Sequence, residues 1–223
     1  ALLNSQSSLT TYIVGVMLAP MGVRKLDILD SPAAARAALD PARRQLLAAL
    51  GSPDSAAGVA RRLGLARQKV NYHLRELEKL GLVEFVEERK RGNCVERVVR
   101  ASATSYLIDP GALGDLGADP ARTPDRLSLA HLVALAARMI RDLAVIRRRS
   151  EAAGKRVATF SLETQIRFGS AAARNAFAEE LGAAVARLSS KYNDESAAGG
   201  RLFRVIACSY PAITKSDQEH DRE

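Results

Sequence analysis

Apolar residues recur along the chain in two rhythms, and the points where one gives way to the other divide it into elements. Asp30-Ser31-Pro32 is a helix start, a capping residue followed by Pro in the first turn. The helix predicted over Ala33–Ala38 is broken by Asp40-Pro41, resumes over Ala42–Leu50 and stops at Gly51-Ser52-Pro53. A second helix starts after Asp54 or Ser55, either of which suits an N-cap. It places Val59, Ala60 and Leu63 at three- and four-residue spacing before Gly64 ends it. Gly64-Leu65-Ala66 reads as a tight turn. The next helix, Arg67–Leu80, carries Val70, Leu74, Leu77 and Leu80 on one face, and Gly81 closes it.

The rhythm then shifts to strand. Leu82–Val86 and Val95–Val99 have strand composition, and the polar run Glu87–Asn93 between them ends in a Gly-Asn turn signal. Helix, helix, short turn, helix and hairpin is the order of a winged helix-turn-helix. A Gly/Asp/Pro-rich stretch, 109–125, reads as a linker. Beyond it a long helix, Leu127 to about Ala153, is apolar around most of its circumference and needs cover from more than one side. Val157–Phe168 alternates: Ala158, Phe160, Leu162, Ile166 and Phe168 lie on one face, with Thr164 the exception there, and Thr159, Ser161, Glu163, Gln165 and Arg167 lie on the other. That pattern predicts a half-buried strand. Ser170 caps a helix to Tyr192, and Leu202–Tyr210 reads as a second strand.

The expected fold class is therefore mainly α with α+β character, a winged helix-turn-helix followed by a helix-strand-helix-strand C-terminal domain. The expected boundaries are 1–31 for an N-terminal extension, 32–108 for the winged domain, 109–125 for the linker and 126–223 for a dimerisation and possible effector domain. Residues 1–20 read as an upstream extension, native or artificial, without an assigned function, since Met21-Gly22-Val23-Arg24-Lys25 makes a natural start. The polar end from Lys215 is expected to fray.

Charge sharpens this picture. The chain carries a formal +8, with a pI near 9.9, which favours a polyanionic partner. Between Ser55 and Arg100 there are 11 basic and 6 acidic residues, and between Arg126 and Asn175 there are 10 and 3, so two blocks hold the excess. The apolar run Tyr12–Ala19 is too short to span a bilayer, and no membrane partner is expected. Cys94 and Cys208 are the only cysteines and have no metal or redox spacing, which suits a reducing cytoplasm.

The run from Ala56 to Asn93, AAGVARRLGLARQKVNYHLRELEKLGLVEFVEERKRGN, resembles the ArsR/SmtB-like winged-helix regulators, and the resemblance covers roughly Pro41 to Arg100. It implies a homodimer that binds double-stranded DNA, often a repressor released by a small effector. The physics of the groove leads the same way. A major groove about 12 Å wide admits one helix, whose N-terminal end must present polar residues. Here these are Arg67, Gln68, Lys69, Asn71 and Tyr72, with Arg75 one turn on. Gln68 and Asn71 suit adenine, and Arg67 or Arg75 suits guanine. Ser55 and the first amides of its helix suit a phosphate. Arg89, Lys90 and Arg91 at the wing tip suit phosphates or the minor groove. His73, beside the apolar stripe, reads as a packing histidine ahead of a phosphate contact.

Metal sensing, common in regulators of this kind, is not expected. The recognition helix has no Cys, and His131 is followed at i+3 and i+4 by Ala134 and Leu135. No phosphate loop, nucleophile–base pair or cofactor motif is present, so neither an enzyme nor a cofactor is expected. Cys208 reads as a buried core cysteine and Cys94 as an exposed residue of the wing. Arg147, Arg148 and Arg149 complement the dipole of their helix end, or alternatively meet phosphate or an anionic effector. Two other functions stay open: a winged-helix interaction module that does not bind DNA, and a small-molecule-binding or enzymatic C-terminal domain around Glu163.

Overall fold

The computed structural model describes residues 24–92 and 94–213, which fall into two compact units, one ending at Ala158 and the other starting at Thr159. The readings of residues 1–20, of Asn93 and of the end from Lys215 lie outside the described residues.

In the first unit, local capping sets where helices begin. The Ser31 hydroxyl accepts from the Ala34 amide to start α1 (Pro32–Leu39), and Asp40 accepts from the Arg43 amide at 2.9 Å to start α2 (Pro41–Ala49). That hydrogen bond is the main reason the Asp40 carboxyl lies below its ordinary 3.8. The chain then forms β2 (Asp54–Ser55), α3 (Ala56–Leu63) and α4 (Arg67–Lys79). Gly64, at φ 65°, makes the turn between α3 and α4, a conformation that a side chain would strain. Leu46 and Leu50, Val59, Val70, Leu77 and Leu82 close over one another as the centre of the core. Each buried Leu or Val contributes about 1.5–3 kcal/mol.

The hairpin is longer than the sequence pattern predicts. β3 (Val83–Arg91) and β4 (Cys94–Ala101) pair antiparallel through the whole polar run, with a register shift between Phe85 and Glu87, and β2 adds to the other edge of β4. Both faces of the outer hairpin meet solvent, so no apolar alternation marks it. Its ladder is supported by opposed charges instead, Arg89 across from Glu96. A further two-stranded parallel sheet, β1 (Asp27–Leu29) with β5 (Tyr106–Ile108), escapes the sequence reading because three residues are too few to show a period.

The stretch 109–125 forms two 3-10 turns, Pro110–Leu116 and Pro120–Arg122, capped by Asp109 and Asp119. Arg122 ties them together through the Asp115 and Gly117 carbonyls, and both turns pack on α5 (Leu129–Ala153). Ser128 caps α5, and Gly154 at φ 59° ends it. The second basic block acquires a definite role here. Arg147 donates to the buried Asp27, and Arg148 pairs with Asp30, so two arginines fasten α5 to the β1 segment. Arg141 reaches the Ala118 carbonyl at 3.2 Å.

The second unit contains α6 (Ala171–Tyr192), capped by Ser170, with Phe177 packed 5.4 Å from Phe168. The two strands expected in this half are corrected: 155–168 and 201–213 carry no ladder hydrogen bonds. A strand exists only with a neighbour, and among the described residues neither run has one. Cys208 is likewise exposed, against the expectation of a buried core residue. The fold class stands as mixed α and β with helix predominant.

Candidate nucleic-acid interface

Three apolar residues fix which way α4 faces. Val70, Leu74 and Leu77 are buried against α2, α3 and the hairpin. Their spacing turns Arg67, Gln68, Lys69, Asn71, Tyr72 and Arg75 out to solvent. The cap residue of α4, Ala66, makes no side-chain hydrogen bond, so no capping side chain occupies the first-turn amides beside Arg67 and Lys69. His73 sits between the two faces, half-buried and edge-on to Tyr72 at 5.4 Å, with its Nδ1 lacking a hydrogen-bond partner. Packing is the role this position allows it.

Ser55 is placed differently from the other predicted contacts. It is only 4% exposed, its hydroxyl donates to Glu96 at 2.7 Å and accepts from the Gly58 amide at 3.1 Å. It therefore joins the start of α3 to the wing and has no free hydrogen for a phosphate. Gly58 belongs to the same joint. A Cβ there would fall 1.9 Å from Asp54 Oδ1, so the close approach of the Asp54 carboxylate requires glycine.

Ion pairing sorts the basic residues of this region. Arg62 pairs with Asp54, Lys79 with Glu76, Arg89 with Glu87, Arg97 with Glu78 and Arg100 with Glu84. Arg97 also lies over the Phe85 ring at 5.2 Å. Arg61, Arg67, Lys69, Arg75, Lys90 and Arg91 have no carboxylate in ion-pair distance among the described residues, and all six are exposed. Three of them, Arg61, Arg67 and Arg91, line one open cleft of about 600 Å³ between α3, the start of α4 and the wing. Arg61 is absent from the sequence-based set. Its signal is its helical spacing before the Gly64 turn, which puts it on the same side as Arg67.

Together, α4 and the hairpin present a positively charged surface with amide, phenol and guanidinium groups at the exposed end of one helix. Such a surface can neutralise phosphates and donate to base edges. Among the described residues no group of three or more His, Cys, Asp or Glu is placed to hold a metal ion, and His131 Nδ1 is engaged with the Thr123 carbonyl at 2.9 Å. No helix among them is long and apolar enough to cross a membrane.

A family model described as a helix-turn-helix domain matches residues 38–86, from the end of α1 into β3. Among solved structures, the ArsR-like transcriptional regulator from Rhodococcus sp. RHA1 is 31% identical over 55% of this chain and 92% of its own, at a TM-score of 0.29. NolR from Sinorhizobium fredii is 20% identical over 32% of this chain and 68% of its own, at a TM-score of 0.27. No curated protein matches the chain.

Proposed function

The chain carries an ArsR-like winged helix-turn-helix, and from that premise we propose that it is a cytoplasmic, sequence-specific DNA-binding transcription regulator acting as a homodimer, most simply a repressor. The observation that carries this reading is the set of six exposed basic side chains without carboxylate partners around α4 and the wing. Charges left unpaired in one region, while their neighbours are paired, are set out for an external anion.

In this reading α4 enters the major groove. Gln68 and Asn71 address adenine edges, Arg67 and Arg75 address guanine, and Lys69 and Tyr72 hold the flanking backbone. Arg89, Lys90 and Arg91 of the wing follow the phosphates into the neighbouring groove. Ser55 contributes by holding α3 and the wing together. The homodimer would form through α5, where Leu129, Val133, Ala136, Met139, Leu143 and Ile146 are exposed at spacings of three or four residues. That spacing is the seam of a helix pair, here about 26 Å long. Two copies would then meet half-sites about 34 Å apart on a palindromic operator.

Fluorescent duplex from the region upstream of the protein's own gene, titrated against random duplex over a salt series, tests the reading. The upstream duplex is expected to bind at least ~10³-fold more tightly than random DNA. Replacing Arg67, Lys69 and Arg75 with Ala should abolish that preference, and the loss of the Lys69 phosphate contact should lower the salt slope by about 1. Equal, weak binding to both duplexes would overturn it.

A further inference from the structure

Residues 155–168 and 201–213 run without helix, turn, bend or ladder hydrogen bond. Phe160, Leu162 and Ile166 in the first run are 75%, 62% and 47% exposed, and Leu202, Phe203 and Val205 in the second are 101%, 64% and 76% exposed. These six side chains together leave roughly 600 Å² of apolar surface in water. No residue from 159 to 213 is buried. The first run nevertheless has the alternation of a strand, and Phe168 at its end already packs on Phe177 of α6. Among the described residues it has no neighbouring strand.

We infer that residues 162–168 pair antiparallel with the same residues of a second copy, about a two-fold axis through Gln165. The inference rests on the homodimer reading above and assigns the dimer a second surface, distinct from α5. The register follows from the sequence of the run. Directly opposed residues of an antiparallel pair share a face, so an axis passing between two residues would set the apolar face of one copy against the polar face of the other. The axis must therefore pass through a residue. An axis through Glu163 or Arg167 opposes like charges. One through an even-numbered residue of the run leaves Glu163 and Arg167 opposite neutral residues. Gln165 alone brings Glu163 opposite the partner's Arg167, and does so twice. The same register sets Leu162 against the partner's Phe168 and Thr164 against the partner's Ile166, while the two Gln165 amides, each donor and acceptor, meet at the axis. Glu163 and Arg167 are both exposed and have no charged partner among the described residues, so both are free for this pairing.

Full-length chain with Cys94→Ser and Cys208→Ser and one new cysteine supplies the test. Gln165→Cys places the two thiols opposite each other at the axis, at a Cα separation of about 5 Å that a disulfide can bridge. Ser161→Cys, four residues off the axis, leaves them about 27 Å apart. Mild oxidation is expected to convert Gln165→Cys to covalent dimer and to leave Ser161→Cys monomeric on a non-reducing gel. Equal cross-linking of both, or none of Gln165→Cys, overturns the inference. Adding Glu163→Arg to Gln165→Cys should slow cross-linking about tenfold, since two attractions become two repulsions. A further Arg167→Glu should restore the rate, and a loss that it does not restore counts against the register. If the upstream DNA is bound tightly while Gln165→Cys stays uncrosslinked, this inference fails and the regulator stands. Cross-linking without a DNA preference keeps the strand pair and removes the regulator, and a light-scattering dimer without the cross-link leaves only the α5 surface.

Discussion

The hydroxyl of Ser55 works in two directions at once, accepting from the Gly58 amide and donating to Glu96 of the wing. Ser55→Ala removes a helix cap and leaves a half-buried carboxylate without its donor, which is expected to destabilise the protein by about 1–2 kcal/mol in urea denaturation. DNA affinity should fall less than in Arg67→Ala, because the hydroxyl organises the surface without touching its ligand. At this scale the sequence was informative where a side chain acts on its immediate neighbours. The caps Ser31 and Ser170 were legible, because an N-cap needs only an acceptor a few residues ahead of its amide, whereas Asp40 read only as a break and Ser128 was not singled out. So was the outward set on α4, once Val70, Leu74 and Leu77 had defined its inner face. Ser55 was legible as an N-cap candidate, but the donation of its hydroxyl to Glu96 was not, because that acceptor lies 41 residues away.

Elements showed the same division. Every α-helix among the described residues was anticipated, since each buries or presents a stripe that repeats within a few residues. The outer hairpin failed to announce itself because it has no buried face, and β1 and β5 failed because they are too short to have a rhythm. The runs at 157–168 and 202–210 have a strand's rhythm but no neighbour among the described residues, and alternation describes a face without supplying its ladder. Docking between elements depends on ion pairs that sequence spacing cannot reveal. Asp27 receives Arg147 from α5 and also Arg24 at 2.9 Å. Asp27→Ala would leave the part-buried Arg147 with only the more distant Glu151 carboxylate, at 3.9 Å, and is expected to lower stability by about 1–2 kcal/mol. Urea denaturation measures the loss, and faster amide exchange in the last turns of α5 would locate it. Unchanged exchange there would mean that the pair does not hold the helix.

For the molecule as a whole, the exposed stripe on α5 predicts an assembly. Leu143→Glu, placed within the stripe and away from α4, is expected to convert a dimer to a monomer in light scattering. It should also reduce affinity for a palindromic operator about 100-fold by removing the second half-site, with a single half-site bound as before. The Asp27–Arg147 pair has a further consequence, in the order of events during synthesis. The two residues are 120 positions apart, and bringing such distant points together costs about 4 kcal/mol of chain entropy. The strand that Asp27 begins also waits for Tyr106–Ile108. A nascent chain therefore exposes Asp27 early and satisfies it late, after the helices and wing that recognise the groove have left the ribosome. α2 to α4 can fold as they emerge, while β1 waits for β5 and Asp27, held only by Arg24, waits for Arg147. A ribosome stalled after the wing has emerged and before Tyr106–Ile108 has would thus hold a formed reading head whose first strand is still open to protease.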